Sequence, residues 1–158
     1  VIEIGSGNGQ AIEKILHLTK NKITSIEVSE KFRSQLIQKF SNKNVVFFSN
    51  DAKKMSDIIK DNTFSKLLAF NVVYFLDPIS DYAKEFYRIL KFGGYGILSC
   101  KFEGIKNFDD KIAPNKNLNE VVETFEKVGF TVDIEFIDST NKQKDYHAIY
   151  IRKVKNGS

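Results

Sequence analysis

Three glycines at alternate positions, Gly5, Gly7 and Gly9, follow a short apolar run in VIEIGSGNGQ, and one carboxylate, Glu3, interrupts that run. Glycine lets backbone N–H groups approach a ligand closely, and a helix starting directly after the loop adds partial positive charge. That chemistry suits a nucleotide-like ligand. Glu27 stands 22 residues beyond Gly5, about where a dinucleotide-binding unit keeps the acidic residue for its ribose hydroxyls. A carboxylate buried without a partner in VIEI would be costly, so Glu3 points to function rather than to an ordinary strand position.

Neighbouring patterns fit less well. The dinucleotide fingerprint G-x-G-x-x-G needs a third glycine where this chain has Gln10, so a nicotinamide-dependent oxidoreductase is the weaker reading. A P-loop is excluded because no Gly-Lys-Ser/Thr follows. Cys and His do not cluster, so no metal is expected. Cys100 falls in a buried strand pattern and reads as core. His17 and His147 have no partner in the sequence and read as structural or exposed. Tyr74, just past a strand end, is the first choice for a pocket residue.

The elements that would carry these residues alternate. Residues 1–4 read as a buried strand, 10–18 as a helix with Ala11, Ile12, Ile15 and Leu16 inward, and 23–28 as a second strand. Ser29 is a plausible N-cap for a helix with Phe32, Leu36, Ile37 and Phe40 on one face. Strand three is 44–49, a short helix follows over 52–59, and strand four is 66–71. Asp77 and Pro78 suit the cap and first position of a helix running to about Leu90, with Ile79, Tyr82, Ala83, Phe86 and Leu90 inward, which Gly93-Gly94 should stop. Strand five is 95–102, a helix carries Leu118 to Val128, and two last strands, 131–137 and 146–152, lie too close for a parallel crossover. The fold class is therefore α/β: a Rossmann-like, doubly wound, mostly parallel seven-stranded sheet with a C-terminal antiparallel hairpin and helices on both faces.

The 158 residues are read as one domain, 1–158, able to bury roughly 70% of its unfolded surface. The chain opens inside a strand without an initiator Met, as a domain lacking the segment before its first strand would. A net charge of +4 is spread among interspersed Asp, Glu and Asn, which reads as a solvated surface rather than a nucleic-acid stripe. No apolar run approaches the roughly 18 residues of a membrane helix, and a single cysteine precludes an internal disulfide, so the expected home is the cytoplasm.

The stretch EIGSGNG resembles motif I of the class I S-adenosylmethionine-dependent methyltransferases, of the type 11-like kind. The similarity continues through Glu27, Asp51-Ala52, Asn71 in FNVVYFLDP, RILKFGGYGIL from Arg88 to Leu98, and EKVGFTVDIEF followed by HAIYIRK. It implies S-adenosyl-L-methionine as cofactor, held by Glu3, Gly5, Ser6, Gly7, Gly9, Glu27, Val28, Asp51, Ala52 and Asn71. Glu27 would take the ribose hydroxyls, Asp51-Ala52 the adenine, and Glu3 the orientation of the loop toward the cofactor's ammonium. It also implies methyl transfer, here to a small-molecule acceptor, with nucleic acid or protein acceptors left open. A non-catalytic cofactor-binding regulatory domain is the alternative from another class. Asn71-Val72-Val73-Tyr74 lacks the two prolines of the Asn/Asp-Pro-Pro-Tyr clamp, which argues against nucleic-acid base methylation. The segment 103–117 is the expected lid, with Phe102 and Phe108 as its aromatics, and Asp51 has a second reading as a helix cap.

Overall fold

Seven apolar runs become strands: β1 (Ile2–Ile4), β2 (Ile23–Ile26), β3 (Val45–Phe48), β4 (Phe64–Phe70), β5 (Leu90–Cys100), β6 (Thr131–Ile137) and β7 (Tyr146–Arg152). In the computed structural model, which describes residues 1–141 and 144–155, they form one sheet in the order β3-β2-β1-β4-β5-β7-β6. The first five strands pair in parallel, and β7 runs antiparallel to both β5 and β6. Lys142 and Gln143, in the hairpin connection, and residues 156–158 lie outside the described residues.

Helices α1 (Gln10–Leu18) and α2 (Glu30–Lys39) bury Ile12, Ile15, Leu36 and Phe40 against Ile23, Phe47 and Leu68 on one face. Helices α3 (Ile79–Ile89) and α5 (Leu118–Val128) bury Phe86, Ile89, Val121 and Phe125 on the other, against Ile2, Leu67, Leu98 and Ile149. Adjacent strand residues point to opposite faces, which is why Leu67 and Leu68 belong to different clusters. The sheet is doubly wound as expected, and Ser29 caps α2 by accepting the Phe32 N–H. A short helix, α4 (Phe102–Ile105), and a 3-10 turn, Val73–Phe75, complete the order.

Four local expectations are corrected. Residues 52–59 form turns, not a helix: the Met55 N–H donates to Glu85 Oε2 at 2.9 Å, while the Ile58 and Ile59 N–H groups both return to the Met55 carbonyl. Ala52, Met55 and Ile59 are buried all the same, so apolar burial is met without a helical ladder. Asp77 does not cap α3; Pro78 holds the cap position, and the Asp77–Pro78 peptide is cis. Leu90 is already extended and pairs with Phe64, so β5 starts directly from α3 and Gly93-Gly94 sit inside an irregularity in the β4–β5 ladder. Strand five ends at Cys100, and Phe102 opens α4.

Arg88 holds the 55–61 segment in place. Its guanidinium makes two bonds to Glu85, at 2.6 and 2.9 Å, and its Nη1 donates to the Ile59 carbonyl and Asp61 Oδ1, each at 2.8 Å. Burial alone would raise the Glu85 pKa, but the bonds from Arg88 and the Met55 N–H hold it below the ordinary carboxylate value. Arg88→Ala leaves a largely buried carboxylate and a carbonyl without their donor, and should lower folding stability by about 2–4 kcal/mol in urea unfolding. A loss below about 0.5 kcal/mol would mean that the segment is held elsewhere.

Candidate functional site

β1 ends at Ile4 and the chain turns through three glycines with positive φ, at 71°, 52° and 80°. They do different work. A Cβ on Gly9 would lie 2.7 Å from both Leu36 and Phe40, so that glycine lets α1 close against α2. A Cβ on Gly7 would meet nothing within 4 Å, because Gly7 borders an open cavity. The Gly7 N–H donates to Glu27 Oε2 at 2.8 Å, and the Ser29 N–H donates to Glu27 Oε1 at 2.9 Å. Each carboxylate oxygen keeps a further acceptor direction for a hydroxyl donor. Arg33 Nη1 reaches the Glu27 carbonyl at 3.0 Å, which fixes the residue from behind.

Glu3 lies beneath the loop and is 2% exposed, and its Oε2 has no hydrogen-bond partner among the described residues. Burial raises its pKa to about 7, opposed by a hydrogen bond from Ser6 and helped by the Glu27 charge. Ser6 is buried too, with its hydroxyl 2.7 Å from that of Ser25.

The cavity measures about 380 Å³. Gly5, Gly7, Glu27, Val28, Asp51 and Ala52 line it, while Glu3, Ser6 and Gly9 shape the loop from outside its lining. Sequence reading missed several of its walls, Phe75 among them. Phe32, read as inward-facing, is 41% exposed and lines the cavity, and Tyr82, read as core, does so as well. Tyr82 faces the Asp51 carboxylate; burial first and then that carboxylate push its pKa up. Asp51 also accepts the Lys53 N–H at 3.2 Å, closing a turn rather than capping a helix.

A second cavity of about 600 Å³ adjoins the first, and Phe75 lines both. Asn71 lines this second cavity, not the first, together with Tyr74, Lys101 and residues from 103 to 108. Tyr74 is buried; its hydroxyl donates to Asn71 Oδ1 at 3.2 Å and accepts the Lys101 N–H. Burial drives the Tyr74 pKa far up, so it is no general base near neutral pH. The expected lid is tethered at both ends: Phe102 packs edge-on against Tyr74 at 5.8 Å, and Asn115 Nδ2 donates to the Val73 and Leu76 carbonyls at 2.8 and 2.6 Å. Phe108 is 45% exposed on the lid.

The remaining candidates stand apart. His147 packs between Phe102 and Phe136 with its pKa lowered by burial, and His17 is exposed in the last turn of α1. Cys100 is buried, and burial pushes its thiol up to about 12. Among the described residues no cluster of His, Cys, Asp or Glu could hold a metal, and no helix is long and apolar enough to cross a membrane.

Comparison places this geometry. The methyltransferase domain family matches residues 2–98. A chain from the complex of the Haloferax volcanii Trm112 methyltransferase activator superposes with a TM-score of 0.84 at 12% identity, over 98% of this chain and 82% of that one. The [4+2]-cyclase SpnF gives 0.80 at 17% identity, over 97% and 73%. The N-methyltransferase NodS from Bradyrhizobium japonicum WM9, in complex with S-adenosyl-L-homocysteine, gives 0.79 at 16% identity, over 98% and 77%. No curated protein matches the chain.

Residues around the first cavity fit S-adenosylmethionine: Gly7 leaves room where any side chain would intrude, Glu27 offers acceptors, and Val28 and Phe32 offer apolar wall. Gly7→Val should therefore abolish S-adenosylhomocysteine binding in calorimetry while circular dichroism stays native, and normal binding would remove the loop from the site. For Glu3 the folded pKa of about 7 exceeds the ordinary 4.5, so its protonated form suits the fold and stability falls as pH rises through that window, by up to about 3 kcal/mol. The stability of Glu3→Gln relative to wild type should accordingly improve between about pH 5 and about pH 8. A pH-independent difference in urea unfolding would show that Glu3 is not strained.

Proposed function

Because this chain belongs to the methyltransferase domain family, whose cofactor is S-adenosylmethionine, we propose that it transfers a methyl group to a small molecule held in the second cavity. The observation that carries this reading is the shared wall: Phe75 belongs to both cavities, so a cofactor in one and an acceptor in the other would meet there. When bound, S-adenosylmethionine supplies an electrophilic methyl on a sulfonium. The chain's own residues bind and align. The residue 5–9 loop and Glu27 would hold the methionine and ribose portions, and Asp51, Val28 and Phe32 the adenine side.

Alignment and exclusion of water can supply much of the catalysis for so reactive a donor. Tyr74 would serve by position, because both its donor and its acceptor capacity are committed to Asn71 and Lys101. The Phe102–Tyr74 contact and the Asn115 tether would keep the lid over the acceptor. A second cavity built this way favours an enzyme over a non-catalytic cofactor-binding domain. We propose further that the chain works as one domain in a reducing cytoplasm, a setting in keeping with its lone buried cysteine.

The test is release of S-adenosylhomocysteine when the protein is incubated with S-adenosylmethionine and panels of amine, hydroxyl and carbon-acid acceptors. Acceptor-dependent release is expected. Cofactor binding without release from any panel would favour the non-catalytic domain. Glu27→Ala should weaken S-adenosylhomocysteine binding by about 1–3 kcal/mol, the worth of charged hydrogen bonds, and unchanged affinity would remove Glu27 from the site. Tyr74→Phe should slow turnover more than it weakens cofactor binding, and an unaltered rate would make Tyr74 a packing residue only.

A further inference from the structure

The lining of the second cavity is unbalanced in charge and in hydrogen-bonding capacity. Three charged side chains border it: Lys101, Glu103 and Lys106. Glu103 and Lys106 neutralise each other in an ion pair. Lys101 sits at the end of β5, partly buried, and its ammonium makes no ion pair or hydrogen bond among the described residues. Asn71 has its Oδ1 occupied by the Tyr74 hydroxyl, which leaves its amide nitrogen as a free donor among the described residues. The cavity therefore presents donors and one unpaired positive charge. Tyr74, Phe75, Ile105 and Phe108 supply an apolar wall.

Charges withdrawn from water are normally paired, because desolvation is repaid only by an opposite charge with good geometry. Lys116, at the far end of the same lid, follows that rule through Asp110 at 2.7 Å. Lys101, which is only partly buried, has no such partner among the described residues, and it lines the cavity, where a ligand would bring one. We propose that the methyl acceptor carries an anionic group, a carboxylate or a phosphate, on an aromatic or apolar body, and that Lys101 binds the anion. This rests on the methyl-transfer reading above, and it narrows the acceptor class from small molecules in general to anionic ones. Lys101 thereby becomes a specificity residue. It touches the acceptor's anion, while its backbone N–H fixes Tyr74.

The experiment uses the full chain saturated with S-adenosylhomocysteine, titrated with phenylacetate, phenyl phosphate, phenylacetamide and phenethylamine. At least one anion should bind about tenfold more tightly than both the amide and the amine, a factor equal to about 1.4 kcal/mol. Lys101→Gln should reduce that anion to the level of the amide, and Lys101→Arg should restore most of the difference. Lys127→Gln, on the exposed side of α5, should change nothing and controls for overall charge. S-adenosylhomocysteine affinity should be the same in every variant. A preference between phenylacetate and phenyl phosphate would identify which anion the site is built for. Equal binding of the amide or the amine, absence of anion binding, or full anion affinity in Lys101→Gln would overturn the inference while leaving methyl transfer standing. Loss of S-adenosylhomocysteine affinity in Lys101→Gln would also overturn it, by assigning the lysine to the cofactor. Failure of the wild type to bind S-adenosylhomocysteine at all would remove both readings together.

Discussion

The carboxylate of Glu27 is the point on which the site depends. It takes the N–H of Gly7 on one oxygen and the N–H of Ser29 on the other, and so ties the glycine loop after β1 to the start of α2 after β2. Neither group could be left unmatched at low cost, since Glu27 is only 6% exposed. The glycines make the bond possible. Gly9 allows α1 to approach Leu36 and Phe40, which sets the loop's height, and Gly7 keeps the cavity side of the loop free of any side chain. The loop's shape is thus held by the chain's own bonds and packing, and a loop held in this way spares the ordering cost that a mobile one would impose on binding.

The rest of the fold places that loop. In the order β3-β2-β1-β4-β5, chain direction around the sheet reverses between β1 and β4, and the carboxyl ends of those two strands open the crevice in which α/β sheets bind ligands. β1 and β2 supply Gly5, Gly7 and Glu27 on one side of the crevice, while Asn71 and the 3-10 turn after β4 supply Tyr74 and Phe75 on the other. Two tethers fix the second side: the Tyr74 hydroxyl on the Lys101 N–H, and Asn115 on the Val73 and Leu76 carbonyls. The likeness to SpnF, a [4+2]-cyclase at 17% identity, shows fold alone, so the reaction must be argued from these side chains.

Much of this was legible in the sequence, for identifiable reasons. The glycine loop could be read because three positive-φ positions within five residues favour glycine at each. The last hairpin was placed to the residue, at Thr131–Ile137 and Tyr146–Arg152, because alternation and a short connection left no other pairing. Residues 52–59 were misread because their helical spacing is genuine, but their backbone partners, Glu85 and Arg88, lie about 30 positions away and no local pattern announces them. Phe32 and Tyr82 were assigned to the core because periodicity marks an apolar face without saying whether core or cavity lies opposite. Lys153 shows the same limit. It looks like a solvated lysine near the C-terminus, yet it is buried and donates to Asn62, Tyr87 and Leu90 between the rings of Tyr87 and Phe92.

The Glu27 bridge, with one acceptor direction left on each oxygen beside an open Gly7, is a statement about which ligand the cavity takes. Calorimetric titration of the chain with S-adenosylhomocysteine and with NAD, side by side, tests it most directly. Saturable one-to-one binding of S-adenosylhomocysteine with none of NAD is the predicted result. Binding of NAD in its place would contradict it and return the glycine loop to dinucleotide chemistry.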